Sequence, residues 1–140
     1  MRPFAILSLA LAATAALAGP YDQPYAVIAT EKSPAADPNL RTPILNRIDD
    51  ETVMTSTYGP FLSYAAVAPG PHKVTVDLRP RKGFKLATQN TFDLQTRPCV
   101  RYIVAAELKS PTLQEWTPIV RREEPIGECE AKFRIASGVK

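Results

Sequence analysis

Apolar and polar residues alternate with period two along much of the chain, and the pattern predicts strands. In 72–78, Val74, Val76 and Leu78 share one face and Lys73, Thr75 and Asp77 the other, as in a strand with one side in a core and one in water. The phase resumes at Phe84 and Leu86 and still holds at Phe92 and Leu94. This predicts a strand interrupted near Gln89-Asn90, or two short strands. The strongest strand is 99–108, with Val100, Tyr102, Val104, Ala106 and Leu108 on one face and Arg101 and Glu107 on the other, a half-buried pattern. Cys129, Ala131, Phe133 and Ile135 alternate with Glu130, Lys132 and Arg134, so a last strand is expected there with Cys129 on its apolar side.

The first half of the chain reads the same way in shorter pieces. Residues 25–30 have the aromatic and β-branched content of a strand. Residues 31–43 carry Pro34, Pro38 and Pro43 and predict an irregular connection. Ile44 and Ile48 bound a strand ending at the turn-like pair Asp49-Asp50, and 52–58 is β-branched. Residues 61–68 fit a strand or an Ala-rich helical turn, and Pro69-Gly70-Pro71 fits a turn. In 115–121, Pro118 after Trp116 predicts an edge position or a bulge. Fourteen prolines disfavour long helices. The expected fold is all-β, a small β-sandwich of six to eight short strands in a single domain over 19–140.

Residues 1–18 have a different pattern. Arg2 precedes an apolar stretch from Phe4, and Ala16-Leu17-Ala18 has the small-x-small form cut by a signal peptidase. The run is short of a bilayer span, and Gly19-Pro20 stops a helix from continuing. Position 20 is Pro, where a lipoprotein would carry Cys. The expectation is an exported protein, periplasmic or secreted, with no membrane span after cleavage.

Export changes the meaning of Cys99 and Cys129, the chain's two cysteines. In an oxidising compartment such a pair predicts a disulfide. Across 30 residues the chain-entropy model gives it about 3.5 kcal/mol. The bridge is expected to join the starts of two strands. A redox dithiol would favour Cys-x-x-Cys, and a metal site would need more His or Cys partners. The formal net charge of +3 is too weak for the concentrated basic footprint of a nucleic-acid binder.

Ile44-Leu-Asn-Arg-Ile-Asp49, followed by Val67-Ala-Pro-Gly-Pro-His-Lys-Val-Thr-Val76, resembles exported β-sandwich modules of the PEGA and transthyretin-like type, where a strand ending in Asp precedes a Pro-Gly-x-His strand. Arg101-Tyr102-Ile103, Trp116-Thr117-Pro118 and the late Cys129 are similar to small exported bacterial envelope proteins. The resemblance implies a sandwich fold and brings no catalytic residues with it.

Few residues are left to carry chemistry. His72 is the only histidine, so any histidine-dependent catalytic or metal site would have to use it. Its parity and place at a strand entrance predict a hydrogen-bonded residue closing the end of the core. Asp49, Asp50 and Glu51 lack the spacing of a calcium loop, and Glu123-Glu124 after Arg121-Arg122 reads as a surface charge run. Arg79, Arg81 and Lys82 form the densest cationic cluster, suited to an anionic glycan or an acidic envelope protein. Trp116 with Tyr102 could line a contact surface, though burial in the sandwich is commoner. The expected function is a non-enzymatic binding, adaptor or structural module of the envelope, with no cofactor or metal. The alternative is a secreted inhibitor of a cell-wall hydrolase or protease, presenting 69–72 or 79–83.

Overall fold

The computed structural model describes residues 19–32, 36–53, 61–79, 88–112 and 115–140, without the side chains of 61 and 62. Residues 1–18, read from the sequence as an export signal, the stretch 54–60, Arg81, Lys82, Phe84 and Leu86 lie outside the described residues. Val74, Val76 and Leu78 alternate inward along β6 (Gly70–Leu78) as expected. This strand pairs antiparallel with β3 (Ile44–Ile48) on one side and β7 (Thr88–Thr96) on the other. A two-residue β4 (Glu51–Thr52) completes a four-stranded sheet in the order β4-β3-β6-β7. Gln89 and Asn90 lie inside β7, in unbroken register with β6. The expected interruption is absent there because the β6 ladder pairs every residue from 88 to 96.

The other sheet is built on β8 (Val100–Leu108). β9 (Trp116–Pro125) runs antiparallel along the whole of one edge, while β1 (Ala26–Glu31) and β2 (Leu40–Arg41) share the opposite edge. β1 and β8 are parallel, and β5 (Phe61–Val67) lies antiparallel beyond β1. The segment 61–68 thus resolves as a strand. β2 lies inside the connection expected to be irregular. β9 extends to Pro125, past the expected 115–121, and its register shifts opposite Ile103 and Val104, at Arg121. Pro118 pairs in regular register, on a strand whose one partner among the described residues is β8, the edge position expected of it.

The two sheets pack as a β-sandwich. Its core joins Ile28, Val100, Tyr102, Val104 and Leu108 of the five-stranded sheet to Leu45, Ile48, Val74, Val76 and Leu78 of the four-stranded sheet. The outer face of the five-stranded sheet is covered as well. Val27, Ala29 and Ile103 meet Ile126 and Cys129, with Phe133 and Ile135 packed alongside. Ile103 is therefore buried, and Ala105 on the same face is buried too, so β8 is not half-buried but enclosed on both faces over these positions. A parallel strand pair normally needs cover on both sides.

That cover corrects the expected last strand: α1 (Gly127–Phe133) is a helix. Alternation at Cys129, Ala131 and Phe133 fits a strand, but Ile126, Cys129 and Phe133 also recur at i, i+3 and i+7, which fits a helix. Two turns are too few to separate the periods, and Glu128, Ala131 and Lys132 favour the helix. Ile126 gives no side-chain cap, and an isolated helix this short is unstable in water. Packing and the Cys99–Cys129 disulfide hold it. The bridge spans Cα atoms 5.3 Å apart, so it joins the start of β8 to a helix and not to a second strand.

Candidate functional site

His72 sits where three segments meet. Asp49 and Asp50 have φ of 51° and 67° and form the left-handed turn between β3 and β4, a conformation Asp tolerates. The turn places the Asp49 carboxylate over the start of β6. Lys73 N donates to Asp49 Oδ1 at 2.8 Å, and Asp49 N donates back to the Lys73 carbonyl at 2.9 Å. His72 Nδ1 lies 2.6 Å from Asp49 Oδ2, and Nε2 lies 2.6 Å from the Ala68 carbonyl. Both partners are acceptors, so each contact needs an N–H on the ring nitrogen that makes it. Chiefly the Lys73 N–H, and then His72, hold the Asp49 carboxyl below the usual carboxylate range.

The histidine side chain is 10 % exposed. It ties the β3–β4 turn to the β5–β6 connection, the end-closing role read from its parity. Thr96 braces the same connection: Gly70 N donates to its Oγ1 at 3.2 Å, and that hydroxyl lies 3.1 Å from the Gly70 carbonyl. Gly70 has φ of 135°, a region open essentially to glycine. Beside this corner lies an open cleft of about 540 Å³, bordered by Tyr21, Tyr64, Val53 and Val67 together with Asp49 and His72.

A larger open cleft, about 950 Å³, lies at the corner between β7 and β9. Asn39, Gln89, Asn90, Glu107, Lys109 and Thr117 line it, with Trp116. Trp116 is only 8 % exposed; its Nε1 donates to Thr88 Oγ1 at 2.8 Å, and its carbonyl accepts from Asn90 Nδ2 at 3.1 Å. Tyr102 is 2 % exposed, and its hydroxyl accepts from Arg97 N at 2.8 Å. The two rings are core residues and do not form an exposed aromatic pair. Glu107, Lys109 and Glu115 give the cleft charge of both signs, with Lys109 Nζ 2.9 Å from Glu115. Such a lining suits a polar ligand more than an apolar one.

Of the basic cluster, Arg79 is exposed, and its carbonyl accepts from an Arg41 guanidinium nitrogen at 3.1 Å. Arg81 and Lys82 lie outside the described residues. A second charged group escaped the sequence reading. Glu31, at the end of β1, receives Arg121 Nη1 at 2.8 Å and Arg122 Nη2 at 2.5 Å, while Arg122 Nε reaches Glu124 at 2.7 Å and Arg101 reaches the same carboxylate at 3.4 Å. Arg122 holds the Glu124 carboxyl below its usual range. This network lies on the outer face of the five-stranded sheet. The run 121–124 is thus a set of ion pairs, with Arg97 on Glu123 as another. Glu31 is about ninety residues away in sequence, so no local pattern could have revealed it.

Among the described residues, no group of three or more His, Cys, Asp or Glu is placed to hold a metal, and no helix is long and apolar enough to cross a membrane. No family model matches the chain, and no curated protein or solved structure matches it either.

Proposed function

We propose that the protein is a non-enzymatic module of the bacterial envelope, exported to the periplasm or beyond, that binds another envelope component through a rigid sandwich corner. The observation that carries this reading is the engagement of His72. Its two ring nitrogens are both spent on Asp49 and Ala68 within the fold, which leaves it poorly suited to general-base work. The buried Cys99–Cys129 bridge supports export, because such bonds persist in oxidising compartments. The polar cleft beside Trp116 and the exposed Arg79 supply contact surface for an anionic glycan or an acidic protein.

The reading is tested by immobilising the oxidised protein and passing envelope extract and purified anionic glycans over it. Binding should fall when Thr117→Arg fills the cleft, or when Arg79, Arg81 and Lys82 are changed together to Ala. Binding indifferent to both changes overturns the assigned surface. A hydrolytic turnover lost in a folded His72→Asn variant overturns the non-enzymatic role.

The inhibitor reading rests on a separate observation. The expected turn at 69–71 is shorter in the fold, because Gly70 and Pro71 already pair in β6. The exposed connection at Ala68 and Pro69 is braced by His72 and Thr96, and a rigid loop is what a standard inhibitor presents. Inhibition of a muramidase or protease by the wild type, lost in Pro69→Asp, supports it; a panel without inhibition removes it.

A further inference from the structure

We propose that β7 is the seam of a symmetric dimer, in which two copies of this chain pair their β7 strands antiparallel about Phe92. A free strand edge offers unpaired N–H and C=O groups, and proteins normally blunt it with proline, charge, bulges or shortness. Among the described residues, β9 follows that rule: it contains Pro118 and Pro125, a register shift and the charged run 121–124. β2 and β4 are two residues long. β5 is approached by β3, where Leu45 N donates to Ser63 Oγ at 3.3 Å.

β7 uses none of these devices. It is nine residues long, ends its sheet among the described residues, pairs with β6 without a bulge, and holds one charge, Asp93, and no proline. The bonds between β7 and β9 run through the side chains of Thr88 and Asn90, not through the β7 backbone.

The sequence of β7, Thr-Gln-Asn-Thr-Phe-Asp-Leu-Gln-Thr, identifies the occupant because it complements itself about its centre. A two-fold axis at Phe92 sets Thr88 against Thr96, Gln89 against Gln95, Asn90 against Leu94, Thr91 against Asp93 and Phe92 against its own copy; of these only the Asn90–Leu94 pair joins a polar to an apolar side chain. Gln89, Thr91, Asp93 and Gln95 form the exposed face, so that face gains an amide pair and hydroxyl–carboxylate pairs with no like charges opposed. On the other face Phe92, which packs only partly buried against the core, meets Phe92 of the second copy, and aromatic cross-strand pairs of this kind stabilise sheets. An isologous contact of this form closes on itself and does not propagate into a fibre.

Position 91 tests the seam through the sign of charge. In the dimer, Thr91→Asp would oppose Asp93 of the second copy at two symmetric points, and Thr91→Lys would pair with it at both. Within one chain the same-face neighbours of Thr91 are Asp93 on its own strand and Lys73 and Asp77 on either side of its partner Thr75; these contacts are the same in monomer and dimer, so they cancel in the dissociation constant. Both variants lose the same Thr75–Thr91 hydroxyl contact. Sedimentation equilibrium of the oxidised protein across a micromolar to millimolar series should show a dimer. Its dissociation constant should rise about tenfold in Thr91→Asp and fall in Thr91→Lys, with circular dichroism unchanged. A monomer throughout the series, or a dimer equally affected by both variants, overturns the proposal.

Discussion

The five-stranded sheet is enclosed on two faces where α1 lies over it, whereas the four-stranded sheet has one face in the core and one in water. β8 shows the first condition, with burial at Val100 and at every position from Tyr102 to Ala106. β6 shows the second, with burial at Val74, Val76 and Leu78 and partial exposure between them. The two sheets therefore rest on different supports. The four-stranded sheet needs its partner sheet and its ladder. The five-stranded sheet also needs a helix that could not persist alone, and that helix depends on a covalent bond.

The largest expected effect falls on the clamp. Cys129→Ser should cost about 3.5 kcal/mol, as expected for a bridge closing a loop of this length, measured by urea unfolding under non-reducing conditions. A cost below about 1 kcal/mol would mean that packing alone holds α1, and the contrast between the sheets would weaken.

Next comes the ion network on the same outer face. Glu31→Gln removes the carboxylate that Arg121 meets and leaves Arg122 with Glu124 alone, and should cost about 2 kcal/mol, the scale of hydrogen bonds to charged groups. The effect should shrink in molar salt only in part, since Glu31 is largely buried.

On the four-stranded sheet the perturbation is smaller. Thr96→Val keeps the shape but strands Gly70 N and should cost about 1 kcal/mol. A cost equal to that of Cys129→Ser would remove the distinction between the sheets.

The smallest effect is in the acid limb. Asp49 and Glu124 titrate below their ordinary range in the folded chain, so the unfolded chain takes up protons first as pH falls. Their contribution is full above the ordinary carboxylate range and is lost as pH drops through it toward the folded values. Asp49→Asn should therefore lower stability most near neutrality, with the difference from wild type shrinking as pH falls below about 4, which flattens the acid limb. A profile with the wild-type acid slope would show that the turn carboxylate is not coupled to folding.

The same contrast governs what could be read from the sequence. β6 was legible because one face is wet: Lys73, Thr75 and Asp77 mark the phase as clearly as the valines. The Asp49-Asp50 turn, the β3 strand, the disulfide partners and the role of His72 followed from local chemistry. β8 was found as a strand, but its second buried face was not, because Arg101 and Glu107 suggested water there, and Arg101 instead meets Glu124. The helix was missed because seven residues fit both periods, and its stability comes from Cys99 and the sheet and not from its own caps. The Glu31 network and the Trp116 cleft join residues distant in sequence, so only the folded chain brings them together.

The central claim is that the disulfide-held helix is a separate support for the five-stranded sheet, and hydrogen exchange with and without reductant tests it most directly. In the reduced protein the amides of Cys129 and Glu130, bonded to the Ile126 carbonyl at 3.0 Å, should exchange well ahead of those of Val74 and Val76 in β6. Equal rates for the two sets in the reduced state, or helix amides that keep their oxidised rates, would contradict it.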